Sequence, residues 1–357
     1  MSSGTLDVGV EMKIATALPY ASRFVDAARQ VVELDKAGLD IIYVAEAYGN
    51  DGVSAMGYLA AKTENVQIAS GILPIYTRTP TLLAMTAAGM DDVSDGRFIL
   101  GLGASGPQVI EGFHGVPYDA PLGRTREIVD ICRTVWKREA PLDHQGKYYT
   151  MPLPADQGTG LGKALKIITH PVRNAIPIHI AALGPKNVEM TAEIADGWLP
   201  ILFVPEMMGK AFGDSLEAGK AKRDESLGPL DIVAGGALCV GDNVDAVLDF
   251  ARPMVALYVG GMGARGKNFY NSLIQRYGYE DAAAEIQDLY LDGKKNEAAA
   301  AVPRELLEKM NFVGTEGFVK ERVQAFKEAG VTVLNVTPVG SPEDQVRLIG
   351  QLKEWAA

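Results

Sequence analysis

Eight times along the chain a short apolar run is followed by a longer stretch of helical periodicity, and this alternation constrains the fold more than any other feature. The runs are 8–14, 41–44, 66–72, 98–101, 176–181, 197–201, 232–240 and 331–337. The helical stretches are 23–37, 53–62, 81–93, 122–138, 186–195, 207–222, 244–257 and 343–355. Several runs are apolar on both faces, as parallel strands covered by helices must be. Strand–helix alternation builds βαβ units, and eight of them close a barrel. The predicted fold class is α/β, a (β/α)8 TIM barrel, with an open doubly wound sheet as the alternative. Residues 1–357 read as a single domain, because no repeat or low-complexity linker interrupts the pattern.

Two stretches break the alternation, 139–175 and 260–315. The first reads as a hairpin plus a Gly/Pro-rich loop, the second as a glycine-rich turn followed by polar helices. Both are expected to follow strands, as insertions at the C-terminal face where barrels build their sites. Elaborations or subunit contacts are the plainer alternative.

A net charge of -11 with no Lys/Arg-rich run argues against nucleic acid or an anionic membrane as partner. The two cysteines, Cys132 and Cys239, lie far apart, so a reducing compartment fits better than a disulfide framework. No basic segment followed by an apolar stretch opens the chain, and no apolar run approaches a membrane span. A cytoplasmic protein acting on a small-molecule substrate is expected.

Four loops at strand ends are candidate sites. Gly101-Leu-Gly103-Ala-Ser-Gly106 matches the dinucleotide fingerprint in letters but follows the fourth strand, and Pro107 comes directly after. Its glycines still allow close backbone approach to a ligand, so Gly103, Ala104, Ser105 and Gly106 are candidate contacts, or simply a tight turn. Ala182-Leu183-Gly184-Pro185-Lys186-Asn187 joins a strand to a helix, where free N–H groups and Lys186 favour phosphate, or where an ordinary helix begins. Glu46 follows an apolar strand and should face the barrel mouth, either for proton transfer with Tyr48 in reserve, or in a salt bridge to a loop arginine such as Arg78. Ser70-Gly71-Ile72 ends the third strand, with a glycine where an unusual turn is tolerated. The four histidines, His114, His144, His170 and His179, lack metal-ligand spacing, so no metal is expected. His179 alternates within a strand and reads as a satisfied barrel residue.

Together Val44-Ala-Glu46-Ala-Tyr48, Ser70-Gly71-Ile72, Asp95-Gly-Arg97-Phe-Ile-Leu-Gly-Leu-Gly103 and Ala192-Glu-Ile-Ala-Asp196-Gly-Trp198 resemble the luciferase-like monooxygenase superfamily. Within it the chain is most similar to oxidoreductases that use the deazaflavin coenzyme F420, and residues 104–115 resemble an actinobacterial branch of them. The resemblance runs through nearly the whole chain. It implies a homodimer and hydride transfer between the deazaflavin C5 and a carbonyl or activated alkene. It also implies a non-prolyl cis peptide at Ser70-Gly71-Ile72 behind the cofactor ring, with the other loops holding ring, ribityl and phosphate parts. Arg265 and Lys267 are candidates for the acidic tail by composition. The family's Asp-His pair after strand two is Glu46-Ala47 here, and its acid in the fourth-strand loop is Gly106. An FMN-dependent monooxygenase and a cofactor-binding protein without turnover are the alternatives.

Overall fold

The computed structural model describes residues 11–19, 22–242 and 245–356. Eight parallel strands close on themselves: β1 Lys13–Ala17, β2 Ile41–Val44, β3 Gln67–Ser70, β4 Phe98–Gly103, β5 Ile178–Ala181, β6 Gly197–Leu199, β7 Asp231–Ala234 and β8 Val333–Asn335. Each strand pairs with its neighbours in sequence, and β8 returns to β1 with Val333 opposite Lys13. The fold is the TIM barrel that the alternation predicts.

Side chains alternate across each strand. Outward residues such as Ile14, Ile42, Leu100 and Trp198 pack beneath the helices in the main core. Inward residues form a second cluster that includes Ala15, Ile41, Tyr43, Ile99 and Val333. Several helices start where a short polar side chain can accept an otherwise unpaired N–H. Asp51 accepts from Ser54, Thr79 from Leu82, and Thr315 from Phe318.

The structure departs from the expected boundaries in several places. β1 begins at Lys13, later than the 8–14 run, and positions 8–10 lie outside the described residues. The 232–240 run is two strands, broken at Gly235-Gly236. A Cβ on Gly235 would lie 2.2 Å from the Asn335 carbonyl oxygen and one on Gly236 2.2 Å from that of Met310, so only glycine fits at the break. Ala237–Val240 then leaves the barrel and pairs with Phe312–Gly314 and Thr337–Pro338. The 139–175 stretch follows a helix, Pro121–Lys137, and not a strand. Its hairpin, His144–Gln145 against Thr150–Met151, lies along that helix because Glu127 accepts N–H groups from Lys147, Tyr148 and Tyr149. Finally, Asp245–Ala256 belongs to a helical elaboration that runs on through Arg304–Met310. The helix that leads into β8 is Glu316–Glu328, to which the alternation assigned no element.

Candidate active site at the barrel mouth

Inside the barrel the Tyr43 hydroxyl lies 2.9 Å from His179 Nδ1. Burial pushes the phenol up and so keeps it protonated, while burial pushes His179 down to about 4 and keeps its ring neutral. Tyr43 therefore donates and His179 accepts, which satisfies both buried groups as the alternation suggested for His179.

Above this layer the inward positions are Ala17, Gly103, Ala181, Leu199 and Asn335, mostly small. Ala17 is exposed and Ala181 partly so, which leaves the mouth open. A Cβ on Gly103 would stand 3.0 Å from Ile72 Cγ1 and would fill the cradle between β3 and β4. Asn335 Oδ1 is buried without a hydrogen-bond partner among the described residues. The sequence offered no signal for it, since Asn335 sits inside the 331–337 run beside other polar residues, Thr332 and Thr337.

The peptide between Gly71 and Ile72 is cis. A Cβ on Gly71 would lie 2.9 Å from Tyr43 Cβ, so this position is crowded from inside the barrel. Ser70 does not offer its hydroxyl to a ligand. Its Oγ donates to the Gly101 carbonyl at 2.8 Å and accepts the Gly101 N–H at 2.7 Å, which latches β3 to β4. Gly101 is a glycine for the same reason, because a Cβ would fall 1.7 Å from the Ser70 carbonyl oxygen. The letters of the dinucleotide fingerprint thus serve a strand contact first. Beyond it, Ala104 is partly buried, Ser105 adopts a positive φ of 58°, and Gly106 precedes the short helix Pro107–Ile110.

Across the mouth, Ala182 and Leu183 lead to Gly184, which caps the helix Pro185–Ile194. Trp198 Nε1 donates to the Ala182 carbonyl at 2.8 Å, and Arg276 to the Leu183 carbonyl at 3.2 Å. The Asn187 N–H turns back to the Gly184 carbonyl. Lys186 is exposed and reaches along the helix to Glu189, which also pairs with Lys222. Those two lysines hold the Glu189 carboxyl down at about 2. Phe269, from the helical elaboration, lies over Gly184, where a Cβ would meet its Cε1 at 3.3 Å. Arg265 pairs with Asp288 at 2.7 Å, and Lys267 is exposed in the same turn.

Glu46 forms the salt bridge to Arg78 that was its alternative reading. Arg78 Nη1 lies 2.5 Å from Glu46 Oε1 and Nη2 2.8 Å from Oε2, while the Gly52 N–H donates to Oε2 at 2.9 Å. Tyr48 is 69% exposed, and its ring packs 6.2 Å from that of Phe113, itself 66% exposed. Phe113, Phe269 and Asn335 escape single-sequence reading because only folding brings their loops and strand end to one face.

A family model for luciferase-like monooxygenases matches residues 8–333. The chain belongs to that family. A Mycobacterium tuberculosis protein provisionally named a coenzyme F420-dependent oxidoreductase is 41% identical over 345 residues, covering 96% of this chain and 99% of the relative. The 5,10-methylenetetrahydromethanopterin reductase of Archaeoglobus fulgidus is 28% identical over 325 residues, 89% of this chain and 91% of that one. Among solved structures, the coenzyme F420-dependent tetrahydromethanopterin reductase of Methanopyrus kandleri superposes with a TM-score of 0.77 at 21% identity. That match covers 96% of this chain and 98% of the other, and at such identity it speaks for the fold. The relatives place the four strand-end loops in a family of oxidoreductases; the site residues themselves are read from the geometry above.

Proposed function

We propose that this chain is a coenzyme F420-dependent oxidoreductase that acts on a small hydrophobic carbonyl compound or activated alkene. The observation that carries the reading is the mouth itself: an open floor of small inward residues, flanked by two glycine-containing loops. This space suits a planar tricyclic ring, and the relatives named for coenzyme F420 match nearly the full chain. When bound, the deazaflavin would supply or accept a hydride at C5.

The protein's own groups divide the remaining work. Gly71, Ile72, Gly103 and Ala104 line the ring side, with Ser70 fixing the strand ends behind them. Ser105 and Gly106 continue that wall. Ala182, Leu183, Gly184 and Pro185 would form the opposite wall, and the phosphate would lie at the helix start beside Lys186 and Asn187, where the Asn187 N–H already donates to the Gly184 carbonyl. The exposed rings of Tyr48, Phe113 and Phe269 give the rim an apolar surface for the substrate. Tyr48 is the open proton-carrying side chain on the β2 loop, because both carboxylate oxygens of Glu46 already accept N–H groups.

We further propose a cytoplasmic homodimer. Leu82, Met85 and Val93 expose an apolar stripe along the helix Pro80–Val93, with Tyr58 on the adjacent helix. Among the described residues no helix is long and apolar enough to cross a membrane.

The deciding experiment is a pair of fluorescence and absorbance titrations with F420 and with FMN. F420 is expected to bind far more tightly. Equal or tighter FMN binding would replace this reading with the monooxygenase one. F420 binding without turnover across a carbonyl and alkene screen would leave a cofactor-binding protein.

A further inference from the structure

The loop that carries the Gly71–Ile72 peptide is tied to the β2 exit at both of its ends. At its start the Gly71 N–H donates to the Val44 carbonyl at 2.8 Å, and the Glu46 N–H donates to the Ile72 carbonyl at 3.2 Å. At its far end Arg78 reaches back across the loop to the Glu46 side chain with both terminal nitrogens. Arg78 Nη2 also lies 3.1 Å from Asp51 Oδ1, and Asp51 caps the helix Gly52–Ala60 through Ser54. In the middle the Ile75 N–H donates to the Gly103 carbonyl at 3.0 Å. One guanidinium therefore joins the β2 loop, the β3 loop and a helix start. The pair is largely shielded, with side chains 13% and 10% exposed, so its geometry is not that of a loose surface contact.

We propose that Glu46 and Arg78 are positioning residues, a clamp that holds residues 71–78 against the β2 exit and so sets the Gly71–Ile72 peptide at the barrel mouth for the cofactor ring. The clamp rests on the F420 reading for what it presents, but its hold on the loop is a property of the chain alone. The Arg78 guanidinium is held above its ordinary value chiefly by its hydrogen bond to Glu46.

The test uses the full-length protein with Arg78→Gln, Arg78→Lys, Glu46→Gln and the Glu46→Gln/Arg78→Gln double variant. Amide hydrogen exchange is followed over residues 71–79 without cofactor, and F420 affinity is followed by fluorescence. In Arg78→Gln, exchange across 71–79 is expected to rise at least about tenfold while the barrel strands keep their protection. F420 affinity should fall by about tenfold or more. Arg78→Lys should recover most of both effects, and the double variant should be no worse than either single one. Unchanged exchange in both single variants would overturn the clamp. So would faster exchange with unchanged F420 affinity, because the pair would then be structural only. Failure of the wild-type protein to bind F420 would sink the functional reading, while the exchange result would still decide whether the clamp exists.

Discussion

His179 shows how one buried side chain ties the barrel's interior to pH. Its ring is neutral in the folded protein because burial lowers its value from 6.5 to about 4. The unfolded chain binds a proton more readily, so the stabilising effect is complete above pH 6.5 and is lost as pH falls toward 4. The shift corresponds to on the order of 3 kcal/mol over that window. Urea unfolding between pH 7 and pH 4 should show this slope, and His179→Phe should flatten it. A wild-type slope in His179→Phe would assign the pH dependence to other groups. The same residue was legible in the sequence only as an inward strand position. Its partner Tyr43, 136 residues away, was not.

At the scale of elements, the hairpin His144–Gln145 and Thr150–Met151 is too short to stand alone and depends on the helix beside it. Glu127 supplies that support, accepting N–H groups from Lys147, Tyr148 and Tyr149 and lying 3.3 Å from His144 Nε2. Burial raises the Glu127 carboxyl, but the hydrogen bonds from Tyr148, His144, Tyr149 and Lys147 outweigh it and leave the group below its ordinary value. Its stabilising effect is therefore present above the ordinary carboxylate range and is lost as pH falls through the lowered one. Glu127→Ala should cost about 2–3 kcal/mol, the worth of hydrogen bonds to a charged group, and should expose residues 144–151 to proteolysis. Wild-type resistance in that variant would show that the hairpin is held elsewhere. The sequence revealed the hairpin from its own residues. It could not reveal the route along Pro121–Lys137, because the acid that directs it lies about a turn and a half into a helix of ordinary pattern.

At the scale of the whole molecule, one of the apolar faces that the core leaves exposed among the described residues runs along the helix Pro80–Val93. Leu82, Met85 and Val93 follow one another at helical spacing, and Gly89 between them leaves a shallow place with no neighbouring atom. Light scattering should report a dimer for the wild-type protein, and Met85→Asp should shift it to monomer with F420 affinity unchanged. A monomeric wild type, or a dimer that survives Met85→Asp, would move the interface elsewhere or remove it.

The barrel was legible in advance because strand and helix periodicities are local, and eight local units leave one closed arrangement. The glycine and proline loops at the strand ends were legible for the same reason, since backbone conformation is set within a few residues. What each side chain would meet was not. Ser70 is spent on Gly101, Trp198 on the Ala182 carbonyl, and Glu46 on Arg78, partners separated by 31, 16 and 32 residues. Those choices follow from strand register and loop path, which the pattern of a single segment does not encode. The sequence by itself determined the barrel and the strand-end loops that ring its C-terminal face. The closed structure decided which of that face's polar groups remain free for a ligand, because a donor or acceptor within reach of another satisfies it first.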